Sequence, residues 1–311
     1  MTILIQSALL VIGFVMLVKG ADWFVEGSSG IADKFGIPQL VIGLTIVAMG
    51  TSAPEAAVSI AAAMKGTADI TVGNVVGSNI LNIFVILGIA ASITAIAVAK
   101  TTVKYEIPFM LMITILFMAF GYTGGTINRV EGILLWIIFI LYLAYMFWLV
   151  KSGQADADKI EVKGSMGKML LCVIVGLALI VWGSDVTVDA ASALAKIFGM
   201  SERFIGLTVV ALGTSLPELF TSVTAARKGK ADIAIGNIVG SNIFNILFVV
   251  GTSAIIIPIT FAATFVIDCI VAAAAGILLW IFVFKNRKLS RVGGIVMLVC
   301  YAAYFVYLIG V

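Results

Sequence analysis

Residues 42–55 read IGLTIVAMGTSAPE, and residues 205–218 read IGLTVVALGTSLPE. A second matched pair follows at the same separation of 163 residues: GNVVGSNILN begins at Gly73 and GNIVGSNIFN begins at Gly236. About 29 of the 48 positions that start at residue 41 are identical in the two copies, without a gap. The chain is therefore predicted to consist of two related halves.

Each copy of the motif places a glutamate, Glu55 or Glu218, inside apolar sequence. An ionisable side chain within a membrane span is costly and by default indicates a functional site. Two such glutamates in equivalent motifs predict one buried cation site.

The composition is that of a membrane protein. Hydrophobic residues make up 62% of the chain and charged residues 11%, with a mean hydropathy of +1.21, whereas soluble domains are close to half apolar. The net charge of +3 is small and the basic residues are dispersed, so nucleic-acid binding is not indicated. We expect a multi-pass protein of the cell membrane.

Ten apolar stretches can each provide the roughly 20 residues that cross a bilayer. The first covers residues 3–18 and the sixth covers residues 169–185, and five stretches lie on each side of a hydrophilic segment. Short cytoplasmic loops collect Lys and Arg. With the N-terminus outside, fourteen basic residues lie on the inner side and four on the outer side. Both termini are therefore predicted to be extracellular.

An odd number of spans in each half forces the second half to enter the membrane from the opposite face. The predicted fold is an all-α integral membrane protein with ten transmembrane helices in two inverted-topology five-helix repeats. The first repeat covers residues 1–150, with its motif at 42–88, and the second covers residues 169–311, with its motif at 205–251. Residues 151–168 are predicted to form a cytoplasmic linker.

Two prolines predict interrupted helices at membrane depth. Pro54 has no N–H, so the carbonyl of Gly50 would lose its helical donor, and Pro217 would do the same to Gly213. Free carbonyls at this depth are tolerated only where an ion, water or protein satisfies them. Inverted-repeat transporters place their substrate at such interrupted helices, near the bilayer midplane.

The side chains around the two glutamates carry oxygen ligands at helical spacing. Ala48, Thr51, Ser52 and Glu55 form one stripe of a helix, because they lie at i, i+3, i+4 and i+7. Carboxylate, hydroxyl, amide and backbone oxygens suit hard cations such as Ca²⁺ or Na⁺, and the chain has no histidine. The equivalent stripe is Ala211, Thr214, Ser215 and Glu218, and the following spans add Asn74, Ser78 and Asn82 in one half and Asn237, Ser241 and Asn245 in the other.

Two glutamates would balance one Ca²⁺. In an empty site, two ionised carboxylates would repel each other and would lose hydration. The empty site should therefore change its access from one side of the membrane to the other only poorly. This predicts obligatory exchange of one cation for another.

The two copies, GTSAPE with GNVVGSN and GTSLPE with GNIVGSN, resemble the two α-repeats of sodium/calcium exchangers in the cation/calcium antiporter superfamily. The likeness covers nearly the whole chain and is closest to the compact prokaryotic type. It implies electrogenic exchange of Na⁺ for Ca²⁺ by alternating access, in which the first and sixth spans move across a fixed bundle. No cofactor and no obligatory protein partner are expected, since Ca²⁺ and Na⁺ are substrates.

The resemblance also implies roles for individual residues. Glu55 and Glu218 would be the central Ca²⁺ ligands and would also serve Na⁺. Asn245 departs from the many relatives that carry Asp there. In the potassium-dependent branch of the family an acid at this position is tied to K⁺ use, so we predict K⁺ independence. The further Na⁺ and Ca²⁺ ligand positions are Thr51, Ser52, Thr214, Ser215, the carbonyls of Ala48 and Ala211, Ser78, Asn82 and Ser241.

Two further sets of polar residues allow more than one interpretation. The acidic pairs Asp22 with Glu26 and Asp185 with Asp189 either face solvent or line a cation route. Asn79 and Asn242 lie off the ligand stripe and are interpreted mainly as hydrogen-bonding residues between helices. Asp268 has no assigned role.

Three other function classes were weighed. An intramembrane protease lacks a histidine base and a paired-aspartate pattern. A passive cation channel would use similar ligands, but inverted halves with interrupted helices favour alternating access. A cation/proton exchanger of the same fold stays open, because the residues alone do not distinguish Na⁺ from H⁺ as the coupling ion.

Overall fold

The computed structural model describes residues 2–152, 165–199 and 211–310. Its helices are α1 Thr2–Phe35, α2 Gln39–Ile42, α3 Ala48–Thr51, α4 Ala53–Met64, α5 Asp69–Leu81, α6 Gly88–Ile93, α7 Ile107–Gly124, α8 Arg129–Ser152, α9 Met166–Ile197, α10 Ala211–Gly213, α11 Leu216–Arg227, α12 Ala231–Phe244, α13 Gly251–Ile256, α14 Phe265–Phe284 and α15 Arg291–Gly310. Four π-helical turns continue these helices, at Gly43–Val47, Asn82–Leu87, Thr102–Glu106 and Asn245–Val250.

Two short antiparallel ribbons join the first part of the chain to the second. The strand β1, Ile96–Ala97, pairs with β4, Lys288–Leu289. The strand β2, Thr126–Ile127, pairs with β3, Ile259–Thr260. Each strand has only two residues, so the described part of the chain is otherwise helical.

Within the described ranges, eight helices are long and apolar enough to cross a bilayer, and a ninth span is possible if one bent pair counts as one. That pair is Gln39–Thr51 with Ala53–Met64, bent by 50°. The prediction of ten spans also includes the segment 204–210, which lies outside the described residues. The predicted linker lies outside them over positions 153–164.

Two spans form the centre of the molecule. In the most apolar part of Ala231–Ile256, 94% of the residues are buried, and in Ile70–Ile93 72% are, whereas the other long helices are 17–33% buried. The outer helices instead expose large apolar side chains such as Leu141, Ile174 and Trp182. This distribution is expected when lipid surrounds the bundle, and it places the two GSN motifs in the core.

The first and sixth predicted spans end too early. Helix α1 continues beyond Val18 through Lys19, Asp22 and Glu26, and α9 likewise runs beyond Asp185. With 34 residues, α1 is about 51 Å long at the helical rise of about 1.5 Å per residue, which exceeds the hydrocarbon core of about 30 Å. The helix therefore has room for charged residues outside the apolar layer. A hydropathy pattern does not detect this polar continuation of the helix.

Helices α1 and α9 pack antiparallel through small residues. A Cβ at Gly20 would lie 2.8 Å from the Gly176 carbonyl oxygen, so only glycine permits this approach. The positions in contact run in opposite directions along the two helices. They are Gly13 next to Gly183, Gly20 next to Gly176, and Gly27 next to Met169.

Candidate cation site

Both motif helices break immediately before their glutamates. Ser52 separates α3 from α4 with φ −84° and ψ 9°, and Ser215 precedes α11 with φ −89° and ψ 2°. Pro54 lies in the first turn of α4 and Pro217 in that of α11. The predicted interruptions are present, but each proline begins a new helix, where its missing N–H removes no bond.

The glutamates are almost fully buried and contact the opposite motif. Glu55 and Glu218 each expose 1% of their surface. Ser52 Oγ donates a hydrogen bond of 2.7 Å to Glu218 Oε1. In the other direction, Thr214 and Ser215 lie next to the Glu55 carboxyl group. The two motifs therefore build one site rather than two separate ones.

Asparagines of the core helices fix the two breaks. Asn74 Nδ2 donates to the Glu55 carbonyl at 3.2 Å and to Ser59 Oγ at 2.8 Å. Asn237 Nδ2 likewise donates to Ser222 Oγ at 2.9 Å, and Thr51 Oγ1 donates to Asn237 Oδ1 at 2.9 Å. These residues orient the ligand-bearing turns, although the sequence predicted only that they share a helix face with the ligands.

Four amide side chains close a reciprocal network at the centre. Asn79 Nδ2 donates to the Asn242 carbonyl at 3.3 Å, and Asn242 Nδ2 donates to the Asn79 carbonyl at 3.2 Å. The amide oxygens of this pair accept from Asn245 Nδ2 at 3.2 Å and from Asn82 Nδ2 at 2.9 Å. The interpretation of Asn79 and Asn242 as hydrogen-bonding residues between helices is confirmed.

This network determines which atoms remain for a cation. Asn82 and Asn245 use their amide nitrogens inside the network, so the Oδ1 atom of each is left without a hydrogen-bond partner among the described residues. Glu55 Oε2 and Glu218 Oε2 are also buried and have no partner in the same part of the chain. Both asparagines begin π-helical turns, a feature frequent at functional sites.

The chemistry of these atoms suits a hard cation. Two carboxylate oxygens and two amide oxygens are all hard ligands, and a buried polar atom without a partner is costly unless a ligand satisfies it. The described residues include no group of three or more His, Cys, Asp or Glu that could hold a metal ion. A cation here would therefore bind to neutral oxygens around two acids.

The structure gives contacts for some of the other predicted ligand positions and only the helix position for others. The carbonyl of Ala48 is next to Ser241 Oγ, at 3.4 Å, and to Thr51 Oγ1, at 3.3 Å. Ser78 is buried on α5, one turn before Asn82. Ala211 is the first residue of α10, two residues before the Gly213 carbonyl, to which Ser184 Oγ of α9 donates at 2.6 Å.

The acidic pairs differ in their contacts. Asp22 makes an ion pair of 3.2 Å with Lys228, whereas Asp185 and Asp189 are exposed on α9, which is compatible with both interpretations given above. Asp268 accepts a hydrogen bond from Tyr304 at 2.7 Å, so it joins two helices. Glu106 is a buried glutamate that the sequence analysis did not identify, because no repeated motif surrounds it.

A family sequence model described as "Sodium/calcium exchanger protein" matches residues 5–148 and again residues 168–310. The chain belongs to the sodium/calcium exchanger family. The resemblance inferred from the motifs is thus confirmed, and the exchanger is a transporter rather than an enzyme. Its several apolar helices are those of a multi-pass membrane protein.

Relatives of nearly equal length support this assignment. The exchanger is 33% identical to the sodium/calcium exchanger MaX1 of Methanosarcina acetivorans, covering 98% of this chain and 99% of that protein. It is 39% identical to the inner membrane protein YrbG of Escherichia coli, over 82% of this chain and 81% of that protein. A solved structure of the sodium-calcium exchanger NCX_Mj, soaked with zero Na⁺ and Ca²⁺, superimposes with a TM-score of 0.86 at 33% identity, over 98% of this chain and 99% of that one.

Proposed function

We propose that this protein exchanges Na⁺ for Ca²⁺ across the cell membrane by alternating access. The observation that carries the proposal is a set of four buried oxygens that have no hydrogen-bond partner in the described ranges, on Glu55, Glu218, Asn82 and Asn245. They come from both halves of the chain and lie at two helix breaks and two π-helical turns. A site built between two halves can open to either face when the halves move relative to each other.

The proposed architecture has ten spans in two inverted repeats, covering residues 1–150 and 169–311, with a cytoplasmic linker at 151–168. Two observations support it. The same family model matches each half separately. Helices α1 and α9 occupy equivalent positions in the two halves and pack antiparallel, as inverted halves require. With both termini extracellular, Lys228 lies at the cytoplasmic side.

Glu55 and Glu218 are proposed to bind Ca²⁺ directly, since their paired charges match one divalent ion. Na⁺ competes for the same carboxylates and for the hydroxyl and carbonyl oxygens around them. Moving more than two Na⁺ per Ca²⁺ would make the exchange electrogenic. The full proposed ligand set is Glu55, Glu218, Thr51, Ser52, Thr214, Ser215, the carbonyls of Ala48 and Ala211, Ser78, Asn82, Ser241 and Asn245.

Asn245 bears on the choice of ions. Its neutral side chain leaves the site with two carboxylates, and its amide nitrogen is occupied by Asn79 Oδ1. The proposal is therefore K⁺-independent exchange. Protons could occupy the same buried carboxylates, so a Ca²⁺/H⁺ exchanger is the alternative, and a passive channel is the remote one.

The test is transport in reconstituted liposomes. Vesicles loaded with Na⁺ are diluted into Na⁺-free medium with radioactive Ca²⁺, with a pH gradient replacing the Na⁺ gradient in a parallel arm. We expect Ca²⁺ uptake that needs internal Na⁺ and responds to membrane potential. Uptake driven only by the pH gradient would mean that H⁺, and not Na⁺, is the coupling ion. Uptake without any counter-ion gradient would indicate a channel.

A further inference from the structure

Basic side chains line a cavity at one end of the membrane bundle, away from the cation site. The cavity has a volume of about 380 Å³ and lies between the start of the span Thr102–Gly124 and the end of α14. Of the seven described residues that line it, none is acidic and four are basic: Lys100, Lys104, Lys285 and Arg287. No ion pair with another described residue neutralises any of these four side chains. The cavity is therefore a concentration of positive charge that suits an anion.

The basic cluster lies where two apolar spans end. Lys100 is two residues before the span that begins at Thr102, and Lys285 directly follows the span that ends at Phe284. Trp280, one helical turn inside that end, also lines the cavity, and tryptophan is enriched at the interface between a membrane and water. The phosphate groups of phospholipids lie at this same level of a bilayer.

The walls of the cavity are held in place by the protein itself. Trp280 Nε1 donates a hydrogen bond of 2.8 Å to the Val103 carbonyl, which joins α14 to the π-helical turn of the other span. The rings of Trp280 and Phe284 pack edge to face with centroids 5.3 Å apart. On the solvent side, the Val98 N–H donates to the Arg287 carbonyl at 2.9 Å, next to the β1–β4 ribbon. The basic side chains thus extend from backbone that is already fixed.

Arg287 has an unfavourable backbone conformation. Its φ is 48°, the one positive φ at a residue other than glycine in the described part of the chain. Glycine or asparagine adopts this left-handed conformation at a lower cost than arginine does. The backbone at this position therefore gives no reason for an arginine, whereas a positive side chain at the cavity does.

An apolar stripe leads away from the cavity along α14. Ile277, Ile281 and Phe284 lie at i, i+4 and i+7, so they share one face of the helix. All three are exposed at the surface of the bundle, and Phe284 also lines the cavity. A positive cavity at the end of an exposed apolar stripe complements an amphiphile with an anionic head and a hydrocarbon chain.

We propose that this cavity binds the headgroup of an anionic diacyl phospholipid of the class of phosphatidylglycerol. Its phosphate oxygens accept hydrogen bonds from Lys285 and Arg287, and an acyl chain lies along Ile281 and Phe284. A zwitterionic headgroup would bring its ammonium group toward four cations, so the site discriminates against phosphatidylcholine. This binding depends on where the spans end and not on which ions are exchanged.

Native mass spectrometry of the full chain in detergent tests the proposal independently of transport. Phosphatidylglycerol and phosphatidylcholine with identical acyl chains are added at equal concentration. Each Lys or Arg near a membrane surface contributes roughly a fivefold preference for an anionic lipid. We therefore expect the wild type to retain phosphatidylglycerol at least about tenfold more than phosphatidylcholine.

Arg287→Gly is the most informative variant. It removes one charge and introduces the residue that best tolerates φ 48°, so the fold should be kept while the preference falls about fivefold. Adding Lys285→Ala should bring the two lipids close to parity. Lys151→Ala is the matched control and should leave the preference unchanged. Lys151 is an exposed basic residue at the end of α8, outside the cavity, and its Nζ lies 5.0 Å from the centroid of the Phe147 ring.

Three outcomes would overturn the proposal. Equal retention of the two lipids by the wild type would show that the cavity does not select an anion. An equal loss of preference in Lys151→Ala and Arg287→Gly would show that the general surface charge, and not this cavity, attracts the lipid. Displacement of the lipid by soluble glycerol phosphate at the same concentration would make the cavity a site for a free anion. If Arg287→Gly fails to fold, Lys285→Ala alone provides the same comparison, because Lys285 is exposed.

Discussion

Two lysines at equivalent positions of the halves behave differently. Lys228 Nζ lies 3.2 Å from Asp22 Oδ1 and donates to the Asp22 carbonyl at 3.1 Å, which joins α11 to α1. The equivalent residues of the other half, Lys65 and Asp185, are both exposed, and no ion pair joins them in the described ranges. Similar sequences therefore adopt different contacts in the two halves. In the cycle proposed above, the Lys228 contact would belong to one state only.

The hydroxyl groups of the site show the same asymmetry, but the asparagines do not. Ser52 Oγ donates to Glu218 at 2.7 Å, whereas Ser215 Oγ lies beside the Glu55 carboxyl group and has no bond of hydrogen-bond geometry within the described ranges. The amide network, in contrast, repeats each bond in both directions. The amide network is therefore symmetric between the halves, and the differences lie in the hydroxyl groups and ion pairs around it.

The largest effect is expected from the two glutamates, where the halves should be equivalent. Glu55→Gln and Glu218→Gln should each reduce Ca²⁺ exchange by about a hundredfold or more, because each removes one of two charges that bind the cation. Uptake of radioactive Ca²⁺ into Na⁺-loaded liposomes measures this. Glu131→Gln is the matched control, because glutamine can keep the bond that Glu131 Oε2 accepts from the Asn128 N–H. Normal exchange in either site variant with an unchanged melting temperature would refute the site.

A smaller effect is expected from the amide network. Asn79→Ala should raise the apparent KM for Ca²⁺ roughly tenfold, since a lost buried hydrogen bond of about 1–3 kcal/mol would free Asn245 to turn away from the cation. Asn242→Ala should do the same through Asn82, because the network is symmetric. Concentration dependence of exchange gives the KM values. A large effect of one variant with none of the other would mean that the symmetry of the network has no functional counterpart.

The ion pair should have an effect of a few-fold at most. Asp22→Asn removes a contact that is about one-third exposed, and such pairs contribute about 0.2–1 kcal/mol. We expect faster hydrogen exchange at the end of α11, next to Lys228. Asp185→Asn, at the equivalent position that has no ion pair with Lys65, should leave amide hydrogen exchange near Lys65 unchanged. Equal responses of the two ends would contradict the assignment of the ion pair to one state.

The smallest effect is expected from K⁺. Because Asn245 contributes no charge, adding K⁺ to the Ca²⁺ side should leave the rate of Na⁺-driven Ca²⁺ uptake unchanged. A choline salt at the same ionic strength is the control. Exchange that requires K⁺ would show that the two carboxylates bind a third kind of ion without an acid at position 245.

Much of the central site could be predicted from the sequence, because its oxygens follow helical spacing in two copies. Glu55, Glu218, Asn82 and Asn245 were all predicted as ligand positions, and each has a buried atom without a partner. The spacing does not show which partner each asparagine side chain bonds. Asn79 and Asn82 are both buried asparagines, and only the pairing across the halves shows that Asn79 orients Asn245 whereas Asn82 is oriented by Asn242.

Features outside the repeat were harder to predict. The length of α1 was missed because hydropathy falls at Lys19, Asp22 and Glu26, although the helix continues outside the apolar layer. Glu106 was missed because its partner, Tyr145, is 39 residues away in sequence. The contact between them depends on how α7 and α8 pack, which no local pattern contains.

The glycine contacts of α1 and α9 have a consequence for leakage. Helices that approach through Gly13, Gly20 and Gly27 lie too close to separate without exposing backbone, so the pair is expected to move as one rigid body. A rigid pair that shifts toward one face must withdraw from the other. Opening one gate would then close the second by the same displacement, so no continuous pore would form and the ion gradients would be preserved.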